Sequence, residues 1–381
     1  MNPIPYTKHS IDQSDIDAVV QALRSDFLTQ GIKPAEFEQQ LAITCGARYA
    51  VVFSSGTAAL HGAYFAAGLG PGNEFITTPL TFVATANAGL YLGATPVLCD
   101  ISMSDYLIDQ EQIWRYVTPR TKVIAPVAYA GYPIDLKALH ERAANNGITV
   151  VLDAAHALGA RLHGDPISRY ADMTMLSFHP AKHVAAGEGG AVLTDSKEYY
   201  GKLMLFRTHG ITKDPEQLDD CGAWYYEMRE LGFNYRMTDI QCALGISQLK
   251  KLGASIKRRQ EIADRYKAEL SLDWLTLPPE PKGGGHAWHL YPVLAREERR
   301  RFFDYLRENG ILAQVHYIPV HYMPYYKGGQ GGGSLGNPMA PHLIFPNAEE
   351  FYEREVSLPM FPALTDEEQG YVVDVIRRYV A

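Results

Sequence analysis

Cysteine is scarce in this chain: four residues among 381, Cys45, Cys99, Cys221 and Cys242, with no CxxC pair among them. That spacing offers neither a zinc site nor a disulfide framework, so reduced and buried thiols are expected. Positive charge is in short supply too, since 35 Lys and Arg face 43 Asp and Glu for a formal net charge of −8. A general nucleic-acid binder carries a basic face, so this balance speaks against that class and requires any anionic ligand to be held locally. Long apolar runs are missing, each cut by Gly, Pro or charge well before the roughly 20 residues a membrane-spanning helix needs. The first thirteen residues lack the positive-then-apolar pattern of an export signal. A cytoplasmic protein with neither nucleic-acid nor membrane partners is expected.

What is present is a rhythm. From Arg48 onward, short β-branched runs alternate with helical patterns: strands near Tyr49 to Phe53, Glu74 to Thr77, Pro96 to Cys99, Lys122 to Val127 and Thr149 to Asp153, with helices from Thr57 and Val83. Strands joined by helices of this length form right-handed crossovers and a largely parallel sheet, so the fold class is α/β. Between Asp172 and Thr194 two strand-like runs, Met173 to Phe178 and Gly190 to Thr194, are joined by a loop too short for a crossover helix. An antiparallel or irregular element is expected there.

At 381 residues the chain exceeds one usual core, and two closely packed domains are expected. A single long helix is expected from Thr238, a good N-cap, towards Leu270, with the domain boundary inside it. This gives a large domain over 1–245 and a small α+β domain over 246–381. Strands near Ala287 to Leu294 and Leu312 to Val315, and helices near Glu297 to Asn309 and Asp366 to Tyr379, fill the second part. Gly283 to Gly285 and Gly328 to Gly336 read as flexible loops; for the latter, a mobile lid and a plain surface loop both remain open.

Three segments carry chemistry. Asp153 ends an apolar strand in Val150-Val-Leu-Asp153-Ala-Ala-His156, and ligands in open α/β sheets sit beyond the carboxyl ends of strands. A buried carboxylate there is costly unless it meets a cation, and a protonated pyridine nitrogen is such a partner. Lys182 lies in the turn Ser177-Phe-His-Pro-Ala-Lys182-His183, and Phe53-Ser-Ser-Gly56-Thr57 leads a strand into a helix whose free N–H groups suit a phosphate. Alone, each has a plainer reading: a helix cap, a surface lysine, an ordinary turn. Together they describe a pyridoxal-5′-phosphate (PLP) site, because PLP acts as an electron sink only while its ring nitrogen stays protonated.

With Gly187-Glu-Gly-Gly190, these segments resemble the DegT/DnrJ/EryC1/StrS sugar aminotransferases, fold type I PLP enzymes whose large domain has a mostly parallel seven-stranded sheet. The resemblance spans nearly the whole chain. It implies Lys182 as the Schiff-base lysine and proton shuttle, Asp153 on the pyridine nitrogen, His156 near the phenolic oxygen where many relatives have Gln, and Phe82 stacked on the ring. It further implies Ser55, Gly56, Thr57, Ser177 and Asn234 around the cofactor. PLP and pyridoxamine phosphate would alternate, with L-glutamate as amino donor. The segments Leu28-Thr-Gln-Gly31, Trp224 to Ile246 and Ile311 to Pro319 are most similar to the branch that serves pseudaminic acid biosynthesis. That similarity implies a UDP-linked 4-keto-6-deoxy amino sugar, aminated at C4. Tyr6, Asp26, Phe27, Leu28, Thr29, Gly56, Ser177, Asn234, Gln314, Val315, His316 and Tyr317 become its contacts. It also implies a homodimer in which Asn234 crosses to the neighbouring site.

The alternatives are another nucleotide-linked 4-keto sugar, a PLP-dependent sugar dehydratase, against which Lys182 speaks, and a catalytically silent regulator. No metal is expected, because the histidine spacings match no HExxH or zinc pattern. His183, beside Lys182, could either tune the site or lie at the surface. Gly68-Leu-Gly70-Pro-Gly72 follows a helix and precedes a strand, the reverse of a dinucleotide fingerprint.

Overall fold

The computed structural model describes residues 2–213, 222–296, 299–327 and 344–379. At its centre is a sheet of seven strands: β1 (Tyr49–Phe53), β2 (Glu74–Thr77), β3 (Thr95–Leu98), β4 (Thr121–Ile124), β5 (Thr149–Asp153), β6 (Met173–Ser177) and β7 (Gly190–Thr194). Their spatial order is β1-β7-β6-β5-β4-β2-β3. All neighbours are parallel except β7, which runs antiparallel to both β1 and β6. The short β6–β7 connection forces that reversal, as its length requires. Strands β1, β2, β5 and β7 are buried along nearly their whole length because helices cover the sheet on each side.

The expected long helix is two helices, Asp239–Leu249 and Leu252–Glu269, interrupted at Lys250 and Lys251. Thr238 caps the first as expected: its side chain accepts from Gln241 N, and the Gln241 side chain returns to the Thr238 backbone. The break lets the second helix turn its apolar side, with Ile262, Ala263 and Tyr266, into a second core. An antiparallel sheet in the order Leu275–Thr276, Tyr291–Ala295, Glu355–Leu358 builds that core with the helices Arg299–Glu308 and Asp366–Arg378.

Two further expectations are corrected. The Leu312 to Val315 strand shrinks to Ile311–Leu312, pairing in parallel with Ile4–Pro5 at the amino terminus. Ile4 therefore belongs to the second core, while Val320, Phe345 and Phe351 reach back into the first. The Gly283 to Gly285 loop is ordered: Gly284–Gly285 pairs antiparallel with Arg161–Leu162. A Cβ on Gly284 would lie 2.7 Å from Pro133 Cγ and 3.1 Å from Arg161 O of the paired strand, so the position requires glycine. Cys45, Cys99 and Cys242 are buried and unpaired. Cys221 and the Gly328 to Gly336 segment lie outside the described residues. No helix among the described residues is long and apolar enough to cross a membrane.

Candidate active site

The carboxyl ends of β1, β5 and β6 and the β6–β7 turn open onto one cavity of about 460 Å³. Its walls include Tyr6, Ser55, Gly56, Thr57, Phe82, Asp153, His156, Ser177, Lys182, His316 and Tyr317, eleven of the residues singled out from sequence. Asp26, Phe27, Leu28, Thr29, Asn234, Gln314 and Val315 do not line it within one chain.

Asp153 ends β5 and is 5% exposed. Its Oδ2 accepts from Thr85 Oγ1 at 2.7 Å and its Oδ1 from Ala155 N at 3.0 Å. Burial raises its pKa, against those two hydrogen bonds and the charge of Lys182. Among the described residues no cationic side chain lies within 4.0 Å of it. A pyridinium presented from the cavity would supply the missing charge, so the donor set fits PLP.

Lys182 is fixed by a tight turn, its N–H donating to His179 O at 2.8 Å. Burial brings its ammonium down to about 8, with Asp153 pulling the other way. An amine with that pKa is partly neutral near physiological pH and available as a nucleophile and a base. Its Nζ lies 3.2 Å from His289 Nε2, a contact the sequence reading missed. His289 is kept neutral by burial first and by Lys182 second.

Opposite chemistry is offered by the helix Gly56–Ala66. Ser55 is its N-cap, with Oγ accepting from Ala58 N at 3.1 Å. The first-turn N–H groups of Gly56 and Thr57 remain available at the cavity wall, where the helix end favours an anion such as the cofactor phosphate. β7 passes directly beneath this turn. A Cβ on Gly190 would sit 2.5 Å from Ser55 O, which explains the Gly at the start of that strand.

His156 and Tyr317 form the remaining polar wall. His156 Nδ1 accepts from Ala130 N at 3.3 Å, so its Nε2 carries the proton and donates to Tyr317 Oη at 3.0 Å. His183 is 6% exposed and donates from Nε2 to Ala287 O at 2.8 Å, which removes the surface alternative for it. Among the described residues no three His, Cys, Asp or Glu side chains are grouped to hold a metal ion.

The absent contacts lie on three separate segments of the chain, 26–29, 234 and 314–315. The Leu28 to Lys33 turn is tied to the helix Asp239–Leu249, with Gly31 N and Lys33 N donating to the Asp239 carboxylate at 2.9 and 3.1 Å. Asn234 is exposed on an irregular segment that bridges to Thr208.

Residues 9–377 match the DegT/DnrJ/EryC1/StrS aminotransferase family. The chain is 38% identical over 385 residues to the Bacillus subtilis spore coat polysaccharide biosynthesis protein SpsC, covering 99% of this chain and 97% of that one. It is 36% identical over 381 residues to a UDP-4-amino-4,6-dideoxy-N-acetyl-beta-L-altrosamine transaminase of Campylobacter jejuni, covering 98% and 96%. Among solved structures, Helicobacter pylori PseC, an aminotransferase involved in the biosynthesis of pseudoaminic acid, superposes with a TM-score of 0.90 at 31% identity, covering 99% of each chain.

Proposed function

Since the chain belongs to the DegT/DnrJ/EryC1/StrS aminotransferase family and is a PLP-dependent sugar transaminase, we propose that it moves the amino group of L-glutamate to C4 of UDP-2-acetamido-2,6-dideoxy-β-L-arabino-hex-4-ulose. The observation that carries the site assignment is Lys182 and Asp153 on one cavity, beside the open N-terminus of the helix Gly56–Ala66. The likeness to the Campylobacter transaminase over almost the whole chain supports the substrate.

Bound PLP supplies an electron sink that stabilises charge developing on the carbon bearing the amine. Lys182 is its covalent attachment point, and when free its Nζ takes a proton from the donor carbon and later returns one to C4 of the sugar. Asp153 holds the proton on the pyridine nitrogen. The N–H groups of Gly56 and Thr57, with Ser55 and Ser177 hydroxyls, hold the phosphate. Phe82 covers one ring face, and His156 orients the phenolic side. Tyr6, His316 and Tyr317 take the sugar.

The same reading makes the enzyme a homodimer. Phe27, Leu28, Ile32, Trp224, Met228, Leu231 and Phe233 are all large, apolar and exposed on one chain, as side chains meant for a partner surface would be. Asn234 and Asp26 to Thr29 then serve the neighbouring cavity. We also propose the division of the chain into residues 1–245 and 246–381.

The test is direct. The enzyme is incubated with glutamate and a panel of UDP- and dTDP-linked 4-keto sugars, and products are identified by mass and NMR. A higher kcat/KM for a dTDP-linked 4-keto-6-deoxyglucose than for the UDP-linked arabino-hexulose moves the protein to another branch of the family.

A further inference from the structure

His316 lines the cavity with its ring, but its back is built into a buried chain of polar groups unrelated to PLP. Its backbone N–H donates to Glu355 Oε2 at 2.8 Å, and Glu355 is 0% exposed. The Ser357 hydroxyl donates to Glu355 Oε1 at 2.5 Å, and Ser357 Oγ lies 2.9 Å from His316 Nδ1. Glu355 and Ser357 are two apart on the strand Glu355–Leu358, which places both side chains on one face.

Bond directions follow from the inventory of donors. A serine hydroxyl has one proton. While Glu355 is ionised, Ser357 gives that proton to the carboxylate, so His316 Nδ1 must carry hydrogen and donate to Ser357 Oγ. Nε2 then presents a lone pair to the cavity. When Glu355 is protonated, every arrow reverses: Glu355 donates to Ser357, Ser357 donates to Nδ1, and Nε2 bears the hydrogen.

We propose that Glu355, Ser357 and His316 form a proton relay that sets whether the nitrogen facing the sugar accepts or donates a hydrogen bond. A proton arriving at Nε2 displaces the one on Nδ1 to Ser357 Oγ, and the serine proton moves to Glu355 Oε1. Only O–H and N–H bonds form and break, and no net charge is left on the imidazole. The use of this reversal in gripping a sugar hydroxyl or carbonyl rests on the function proposed above; the relay itself does not.

Charges around it favour a switch in the carboxyl rather than in the ring. Burial raises Glu355 to about 8, with the Ser357 and His316 hydrogen bonds and the more distant Arg299 pulling it down. Tyr106, Tyr129 and Tyr317 also face it and stay neutral, their own pKa values raised by burial. On the cavity side His316 meets Lys182, His156 and Tyr6, and burial followed by the Lys182 charge lowers it to about 3. The ring therefore remains neutral while its tautomer changes. Tyr129 Oη, donating to His316 O at 2.5 Å, keeps the backbone in place throughout.

The experiment reads the tautomer of His316 in the full-length protein without sugar, by two-bond nitrogen–proton NMR correlations of histidine-labelled samples. Signals are assigned by their loss in His316→Gln. In wild type the Nε2–H form is expected at low pH and the Nδ1–H form above about pH 8. Glu355→Gln keeps an acceptor for His316 N and a donor for Ser357, so it should hold the Nε2–H form at every pH. Ser357→Ala should remove the pH switch, which keeps the question answerable should the Gln variant fold poorly. A wild-type tautomer that does not change with pH, or a switch that survives Ser357→Ala, overturns the relay. Either result leaves the sugar panel to judge the proposed reaction separately.

Discussion

Two regions of the molecule are built on opposite plans. Around Lys182 and Asp153 the polar groups are buried or half-buried, with Asp153 held at a strand end by Thr85 and Ala155 and Lys182 held in the neighbouring turn. Around Asp26 to Thr29 and Trp224 to Asn234 the chain is mostly exposed, carries large apolar side chains among charged ones and does not line the cavity. The contrast separates chemistry from completion. Groups that must hold unusual protonation states need the low dielectric of a single folded core, whereas residues that the proposed dimer would cover gain nothing from burial within one chain.

The contrast is broken most severely at Lys182. Lys182→Ala should lower turnover by at least about 10³-fold and abolish covalent attachment of PLP, checked by steady-state rates and by the visible spectrum. In the cofactor-free wild type, acylation of the Lys182 amine, followed by mass spectrometry, should titrate near 8. The sign is set by the lowered pKa: the reactive neutral amine grows as pH rises towards 8 and saturates above it, well before an ordinary lysine does.

Asp153→Asn comes next. It should still bind PLP but lose about 10²-fold in kcat, because an amide does not hold the ring proton by charge. Near-normal rates in that variant remove Asp153 from its role.

The rim is tested by mixing. Lys182→Ala and Asn234→Ala homodimers should each be impaired, while a verified heterodimer assembles one site with both native residues and one with both defects. Its activity should approach about half that of the wild-type dimer. No recovery, with Asn234→Ala itself inactive, places Asn234 in the site of its own chain and sinks the crossover.

The smallest effect belongs to the joint between the regions. Thr238→Ala removes the cap of the helix whose Asp239 holds the Leu28 to Lys33 turn. A loss of about 1 kcal/mol in denaturant stability is expected, with kcat little changed. A large fall in kcat at unchanged stability would mean that the rim turn acts in the chemistry.

Much of this was legible in the chain. Asp153 could be placed at a strand end because the apolar run before it is unbroken, and Lys182 because its loop is too short for a crossover helix. The kink at Lys250 and Lys251 was not legible, since the helical pattern continues across it and only packing against the second core decides the turn. His289 figured in the sequence only as one of the histidines whose spacings match no metal pattern. Nothing in its neighbourhood points across 107 positions to Lys182. Glu355 and Ser357 did leave a signal, two polar residues on one face of an otherwise apolar strand, which marks a buried polar contact without naming its partner.

By itself the sequence determined the alternation of strands and helices, the break in the parallel pattern before Gly190 and the residue types of the cofactor site. These depend on periodicity, turn length and local chemistry, all of which act over short stretches of chain. Only the tertiary structure decided which histidines are buried, which groups their ring nitrogens meet and which charges stand without a partner, because those follow from distances between residues far apart in sequence and from the water that folding removes around them.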